Sequence, residues 1–150
     1  MADSAVSREV NLTLPLLPDM EIAASKTATA IAELMEMSPD KVDEVRMAVV
    51  EACINSLEHS RSADQKVYLT FAVVKEGADE KLRITVRDNG VGFCPDDLIE
   101  PKIEEKLKAA RKRGWGLKII SGLMDEVELQ SGPEGTTVAM SKYCDRRTDE

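Results

Sequence analysis

The sequence is poor in the residues that metal, redox and nucleophilic sites most often use. A single histidine, His59, serves all 150 residues. That excludes every mechanism needing two, including the H-E-x-x-H metalloproteases. The three cysteines, Cys53, Cys94 and Cys144, are odd in number, widely spaced and without a C-x-x-C pair. They make neither a disulfide framework nor a zinc pattern. No G-x-S-x-G elbow accompanies His59, so a serine-hydrolase triad lacks its nucleophile. G-x-x-x-x-G-K-[ST] is absent, and so is G-x-G-x-x-G after a strand, which excludes a P-loop and leaves a Rossmann site unsupported. No apolar run approaches the roughly 18 residues of a membrane span. The opening stretch MADSAVSREV has no apolar leader segment and no N-myristoylation glycine. Five aromatics and a net charge of −8 also argue against direct nucleic-acid binding, which needs positive charge to displace counterions. These absences leave a cytoplasmic protein with neither membrane nor nucleic acid as partner.

What remains is ordinary globular material: 43% hydrophobic and 32% charged residues, in a length that suits one domain. Arg8–Leu14 alternates loosely, with Val10, Leu12 and Leu14 on one side, as a first or edge strand ended by Pro15. Asp19 is placed to cap a helix to about Met37, with Ile22, Ala23, Lys26, Ala30, Leu34 and Met37 near a helical period. Ser38-Pro39 pairs an N-cap with proline at the first helical position and opens a second helix to about Ser60. Lys66–Lys75 and Lys81–Asp88 alternate as half-buried strands, joined by a turn at Glu76–Asp79. A glycine loop (Asp88–Phe93) and a charged stretch (Pro95–Arg113) precede a short apolar helix from Gly116 to Met124. Strands Glu126–Gln130 and Thr136–Ser141 flank a Ser131–Gly135 turn, and a polar tail (143–150) closes the chain. Helices followed by strand pairs predict an α+β two-layer sandwich, with a mixed, mostly antiparallel sheet packed on helices.

Three places carry chemistry-bearing residues. In the second helix Glu51, Asn55 and His59 fall at i, i+4 and i+8, in one line along an otherwise apolar surface. Val45, Ala48, Val49, Ala52, Cys53, Ser56 and Leu57 form its buried face, while Val50, Ala52 and Ile54 flank the line. A carboxylate there can accept a proton and an amide oxygen can ligate a hard metal ion; the same stripe suits a plain solvent face. Asp88-Asn89-Gly90-Val91-Gly92 follows a strand, and its glycines permit close backbone approach. The aspartate can accept a hydrogen bond from the exocyclic amine of an adenine, or the loop can be a structural hairpin turn. Gly114-Trp115-Gly116-Leu117 leads into a helix whose first N–H groups can face an anion, or make a tight packing turn. Residues 106–118 hold six cations and no acid, which leaves −14 on the rest of the chain. Such local positive charge suits a polyanionic ligand, a solvated lid or a docking surface.

The order and spacing of these segments resemble the GHKL ATP-binding fold shared by gyrase B, Hsp90, histidine kinases and MutL. Glu51-x-x-x-Asn55-x-x-x-His59 resembles its N box and Asp88-x-Gly90-x-Gly92 its G1 box. Gly114-x-Gly116-Leu117 resembles the G2 box, and Gly135-Thr136-Thr137 the closing segment. The likeness spans roughly residues 10–142. VRMAVVEACINSLEH (Val45–His59) and GLKIISGLMDEV (Gly116–Val127) resemble most the stand-alone anti-sigma-factor serine/threonine kinases of bacterial partner-switching modules.

The resemblance implies a histidine-kinase-like ATPase (Bergerat) domain over residues 1–142, with a mobile ATP lid at about 95–113. It implies ATP and Mg2+ as cofactors. Asn55 corresponds to the magnesium ligand and Glu51 to the general base. Asp88 corresponds to the adenine-reading aspartate, with Gly90 and Gly92 shaping its pocket. Gly114, Gly116 and Leu117 belong to the phosphate-contacting box, and Thr136 lies near the adenine. By the same resemblance the partner is a STAS-domain anti-anti-sigma protein, phosphorylated on serine or threonine, with a sigma factor as a further partner and a homodimer as the assembly. The alternative is a nucleotide-gated module that sequesters a sigma factor or other regulator without phosphotransfer. Trp115 and the lysine-rich lid depart from the family pattern.

Overall fold

In the computed structural model, residues 4–59, 64–90, 117–133 and 135–144 are described. The elements are β1 (Ser4–Pro15), α1 (Met20–Leu34), α2 (Pro39–His59), β2 (Lys66–Glu76) and β3 (Asp79–Asp88). After them come α3 (117–123), then β4 (Glu126–Gly132) and β5 (Gly135–Tyr143). The strands form one sheet in the order β1-β2-β3-β5-β4. All four pairings are antiparallel, so the antiparallel character expected is found, while the described strands include no parallel pair of the kind a mixed sheet has. The α+β sandwich is therefore present, with the helices on one face. The β2–β3 connection has two residues and begins with Gly77 at φ 59, a conformation that glycine adopts without a Cβ penalty.

Strand alternation decides which face the helices cover. Val67, Leu69, Phe71 and Val73 of β2 are buried, and their partners in β3 are Asp88, Val86, Ile84 and Leu82. These meet Val45, Val49, Ala52 and Cys53 of α2 in a single core. Each fully buried aliphatic side chain contributes about 1.5–3 kcal/mol. The expected buried face of α2 is found, and Ser38 accepts the Lys41 N–H at 3.4 Å as an N-cap.

In α1 three expectations change. Its buried stripe is Ala24, Ala28 and Ala32, whereas Ile22 is exposed and Leu34 is 71% exposed. Small side chains at i, i+4 and i+8 let α1 lie close against α2. The residues whose spacing suggests the helix, Ile22, Ala23, Lys26, Ala30 and Leu34, are exposed, and of that set only Met37 is buried. The helix also ends at Leu34, because Glu36 turns left-handed (φ 61) and Met37 N–H closes back on Ala32 O at 3.2 Å. Asp19 occupies the N-cap position at φ 71 without a side-chain cap bond.

At the other end, β5 runs to Tyr143 and Cys144 N–H donates to Glu80 O at 2.8 Å. The fold thus reaches slightly past the position where the tail was expected. No helix among the described residues is long and apolar enough to cross a membrane.

The alanine stripe separates two substitutions cleanly. Ala28→Leu should cost about 1–3 kcal/mol by overpacking, whereas Leu34→Ala should stay within about 0.5 kcal/mol; urea unfolding measures both. A second expectation concerns Cys53, whose thiol is pushed up to about 12 by burial and, less, by the Glu21 carboxylate. Its contribution to stability is complete below the unfolded thiol value of about 8.5 and is lost as pH rises toward 12. Iodoacetamide at pH 8 should therefore leave Cys53 unlabelled until denaturant is added, as peptide mass mapping can check.

Candidate functional site

Asp88 ends β3 on the helix-covered face, continuing the buried alternation of Leu82, Ile84 and Val86. It is 5% exposed, and its Oδ1 accepts the Gly90 N–H at 3.0 Å. A carboxylate bonded to the amide two residues on forms a compact turn and holds its own orientation. Across the ladder Asp88 is paired with Thr136, the second residue of β5. Gly135, at φ 137, stands beside them so closely that a Cβ would lie 2.0 Å from the Asp88 carbonyl oxygen. Only glycine satisfies both that φ and that contact.

Glu51 and Asn55 stand one turn apart on α2 and are half-buried, next to half-buried Val50 and Ile54. Their helix packs on β2, β3 and β5, the sheet face to which Asp88 belongs. His59 is the last residue of α2. Leu117 is the first described residue of α3 and is half-buried. The far end of α3 is anchored: Leu123 O accepts Lys142 Nζ at 2.6 Å, and the same ammonium lies 3.1 Å from Glu44 Oε1 of α2. Lys142 is only 6% exposed, so this ion pair ties the helix that contains Leu117 to the helix carrying Glu51 and Asn55. Gly92, Gly114, Gly116, Cys94, Trp115 and the lid at 95–113 lie outside the described residues.

A cleft of about 560 Å³ opens at this end of the sheet, lined by Arg87, Asp88, Asn89, Gln130, Ser131, Gly132, Pro133, Gly135 and Thr137. It follows the strand ends and is not lined by Glu51 or Asn55. Among the described residues no group of three or more His, Cys, Asp or Glu can hold a metal ion unaided. Mg2+ brought by a polyphosphate asks less, since it keeps waters and phosphate oxygens and takes one or two protein ligands. Asn55, with Glu51 one turn earlier, fits that requirement.

Sequence reading missed the Lys142–Glu44 pair and the residues that brace Asn89. The pair joins positions nearly a hundred residues apart, and neither residue carries a motif. Gly135 was noticed as part of a Gly-Thr segment, but its backbone conformation was not foreseeable.

A family model described as histidine kinase-like ATPase domain matches residues 14–142. The chain belongs to the histidine kinase-like ATPase family, as the four short segments had suggested. It is 27% identical over 147 residues to the serine-protein kinase RsbW of Bacillus cereus (strain Q1), covering 95% of this chain and 89% of the relative. It is 32% identical over 137 residues to the anti-sigma F factor of Bacillus cytotoxicus, covering 90% and 92%. The fold also matches a solved structure of the RsbU and RsbW domains of a Mycobacterium tuberculosis protein, with TM-score 0.68 and 16% identity. That match covers 96% of this chain and 35% of the other. These relatives support an ATPase-type regulator of the anti-sigma kinase kind.

The Gly135 contact makes a direct prediction. Gly135→Ala should destabilise the fold by about 1–3 kcal/mol, read by thermal or urea unfolding. Ser131→Ala, at an exposed position of neighbouring β4, should remain within about 0.5 kcal/mol.

Proposed function

We propose that the protein binds Mg-ATP between α2, the β3–β5 end of the sheet and the lid, and transfers the terminal phosphoryl group to a serine or threonine of a STAS-domain partner. One observation carries this reading: a buried Asp88 carboxylate, held by the Gly90 N–H, on the sheet face that the Glu51–Asn55 helix covers. Asp88 accepts a hydrogen bond from the adenine amine, with Thr136 beside it. Asn55 would hold the magnesium, which would supply neutralisation of the phosphate charge. Glu51 takes the proton from the acceptor hydroxyl. Gly90 and Gly92 shape the adenine pocket, Gly114, Gly116 and Leu117 belong to the phosphate-contacting segment, and the six cations of residues 106–118 add positive charge.

Phosphoryl transfer needs mainly positioning and charge neutralisation, and this residue set supplies both. The phosphorylated partner gains about −1.5 to −2 charge. The −14 carried by the rest of this chain then repels it, which releases the complex and places the protein in partner switching with a sigma factor. The relative named anti-sigma F factor favours a second reading, nucleotide-gated sequestration of a sigma factor without transfer.

Incubation with labelled ATP and a candidate STAS protein distinguishes the two. Glu51→Ala should reduce label on the partner by about 10²- to 10⁴-fold with a smaller change in ATP affinity. Asp88→Asn should weaken ATP binding by about 10- to 100-fold, the range of a hydrogen bond to a charged group. Tight ATP binding with no label on any partner selects sequestration.

A further inference from the structure

The turn that presents Asp88 is braced by side chains belonging to the sheet face opposite the helices. Both ends of the Asn89 amide are engaged. Its Oδ1 accepts Arg87 Nη1 at 2.6 Å, and its Nδ2 donates to Asp64 Oδ2 at 3.0 Å. The same Asp64 oxygen accepts the Tyr68 hydroxyl, while Asp64 Oδ1 accepts the Lys66 N–H at 3.2 Å. Tyr68 and Arg87 are directly paired across β2 and β3, and the guanidinium lies 4.5 Å from the centre of the tyrosine ring. The hydrogen bond to Asp64, then burial, raises the Tyr68 pKa above the ordinary phenol value, so the hydroxyl remains a donor at neutral pH.

These four side chains close a loop of contacts from the segment before β2 to the turn after β3. Asp64 is the acceptor that the Tyr68 and Asn89 donors share. From the β5 side Gly135 lies close against the same turn, so close that a Cβ there would come within 3.1 Å of Asn89 Cα. The backbone between Asp88 and Gly90 is thus held on two sides. One side is close packing; the other is a charge-assisted hydrogen bond of the stronger kind.

We infer that Asp64 is a positioning residue for base recognition, acting through Asn89 to hold the Asp88–Gly90 turn. In that turn Asp88 Oδ1 stays on the Gly90 N–H and the second carboxylate oxygen is free to read an exocyclic amine. This rests on the nucleotide-binding reading above and deepens it, since Asp64 acts on the base and leaves the phosphate contacts alone. Releasing Asn89 lets the turn relax, and the amine loses its fixed acceptor.

The test measures full-length wild type, Asp64→Ala and Asn89→Ala by calorimetry with Mg-ATP and with Mg-purine riboside triphosphate, which lacks the 6-amino group. Both variants should bind ATP about tenfold more weakly, the value of one charge-assisted hydrogen bond. Both should bind the purine analogue as wild type does, so preference for the amine falls about tenfold. Equal weakening toward the two nucleotides, or unchanged ATP affinity, overturns the inference, because general damage to the fold cannot select for the amine. A loss confined to Asp64→Ala overturns the route through Asn89. If wild type binds neither nucleotide, the nucleotide reading falls and takes this inference with it. Wild-type binding with an unchanged preference in the variants removes the role of Asp64 alone.

Discussion

Where β5 begins, Gly135 approaches the end of β3 so closely that no side chain fits between them. The contact occurs at the one place where the ladder brings Asp88 opposite Thr136 and where the β4–β5 hairpin closes with Gly132 opposite Gly135. Because strand pairing is periodic in two residues, a slip of one position would turn Asp88 from the helix-covered face to the outer one. The missing Cβ and the register are therefore one constraint seen from two sides. With both satisfied, Asp88 is buried, its carboxylate is bonded to the Gly90 N–H, and the turn beyond it has little room to move.

The helical layer depends on a comparable economy of volume. Ala24, Ala28 and Ala32 have no exposed surface and allow α1 and α2 to share the sheet face without a gap. α2 in turn buries Val45, Val49 and Cys53, which leaves Glu51 and Asn55 at the half-covered border between core and solvent. Such a border suits groups that must meet a polar ligand without being fully desolvated. Lys142 extends the layer to α3 by bridging Glu44 and the Leu123 carbonyl. Its side chain is almost fully buried, so its two partners offset a desolvation cost that would otherwise be several kcal/mol. α3 is thereby coupled to the helix that bears the polar stripe.

Much of this was legible in the chain itself. β2 and β3 are legible almost to the residue because Val67, Leu69, Phe71 and Val73, then Leu82, Ile84 and Val86, recur at every second position, although Ala72 and Val74 of β2 are buried as well. Ser38-Pro39 marked the start of α2, and the order of the Asn55, Asp88 and Thr136 segments pointed to the family. The face of α1 is misread from the sequence because Ile22 and Leu34 draw the periodic set, with Ala23 and Ala30, to the exposed side, while the buried Ala24, Ala28 and Ala32 carry little hydrophobic signal of their own. Helix packing at close range selects for small volume, and that preference is invisible to a hydropathy pattern. Asp64 gave no signal at all, since its partner Asn89 lies 25 residues away and neither residue belongs to a periodic pattern.

The sequence by itself determined the kinds and order of the elements and the family to which they belong. Repeats of 2.0 and 3.6 residues, caps and glycine turns are local properties that need no knowledge of the rest of the chain. Tertiary structure alone decided which side of α1 is covered, that Gly135 must take φ 137 beneath the Asp88 carbonyl, and which residues brace the Asp88 turn. Those outcomes arise from register and close packing between segments far apart in sequence. The energy of such contacts exists only once both segments are in place, and so a single segment read alone cannot carry it.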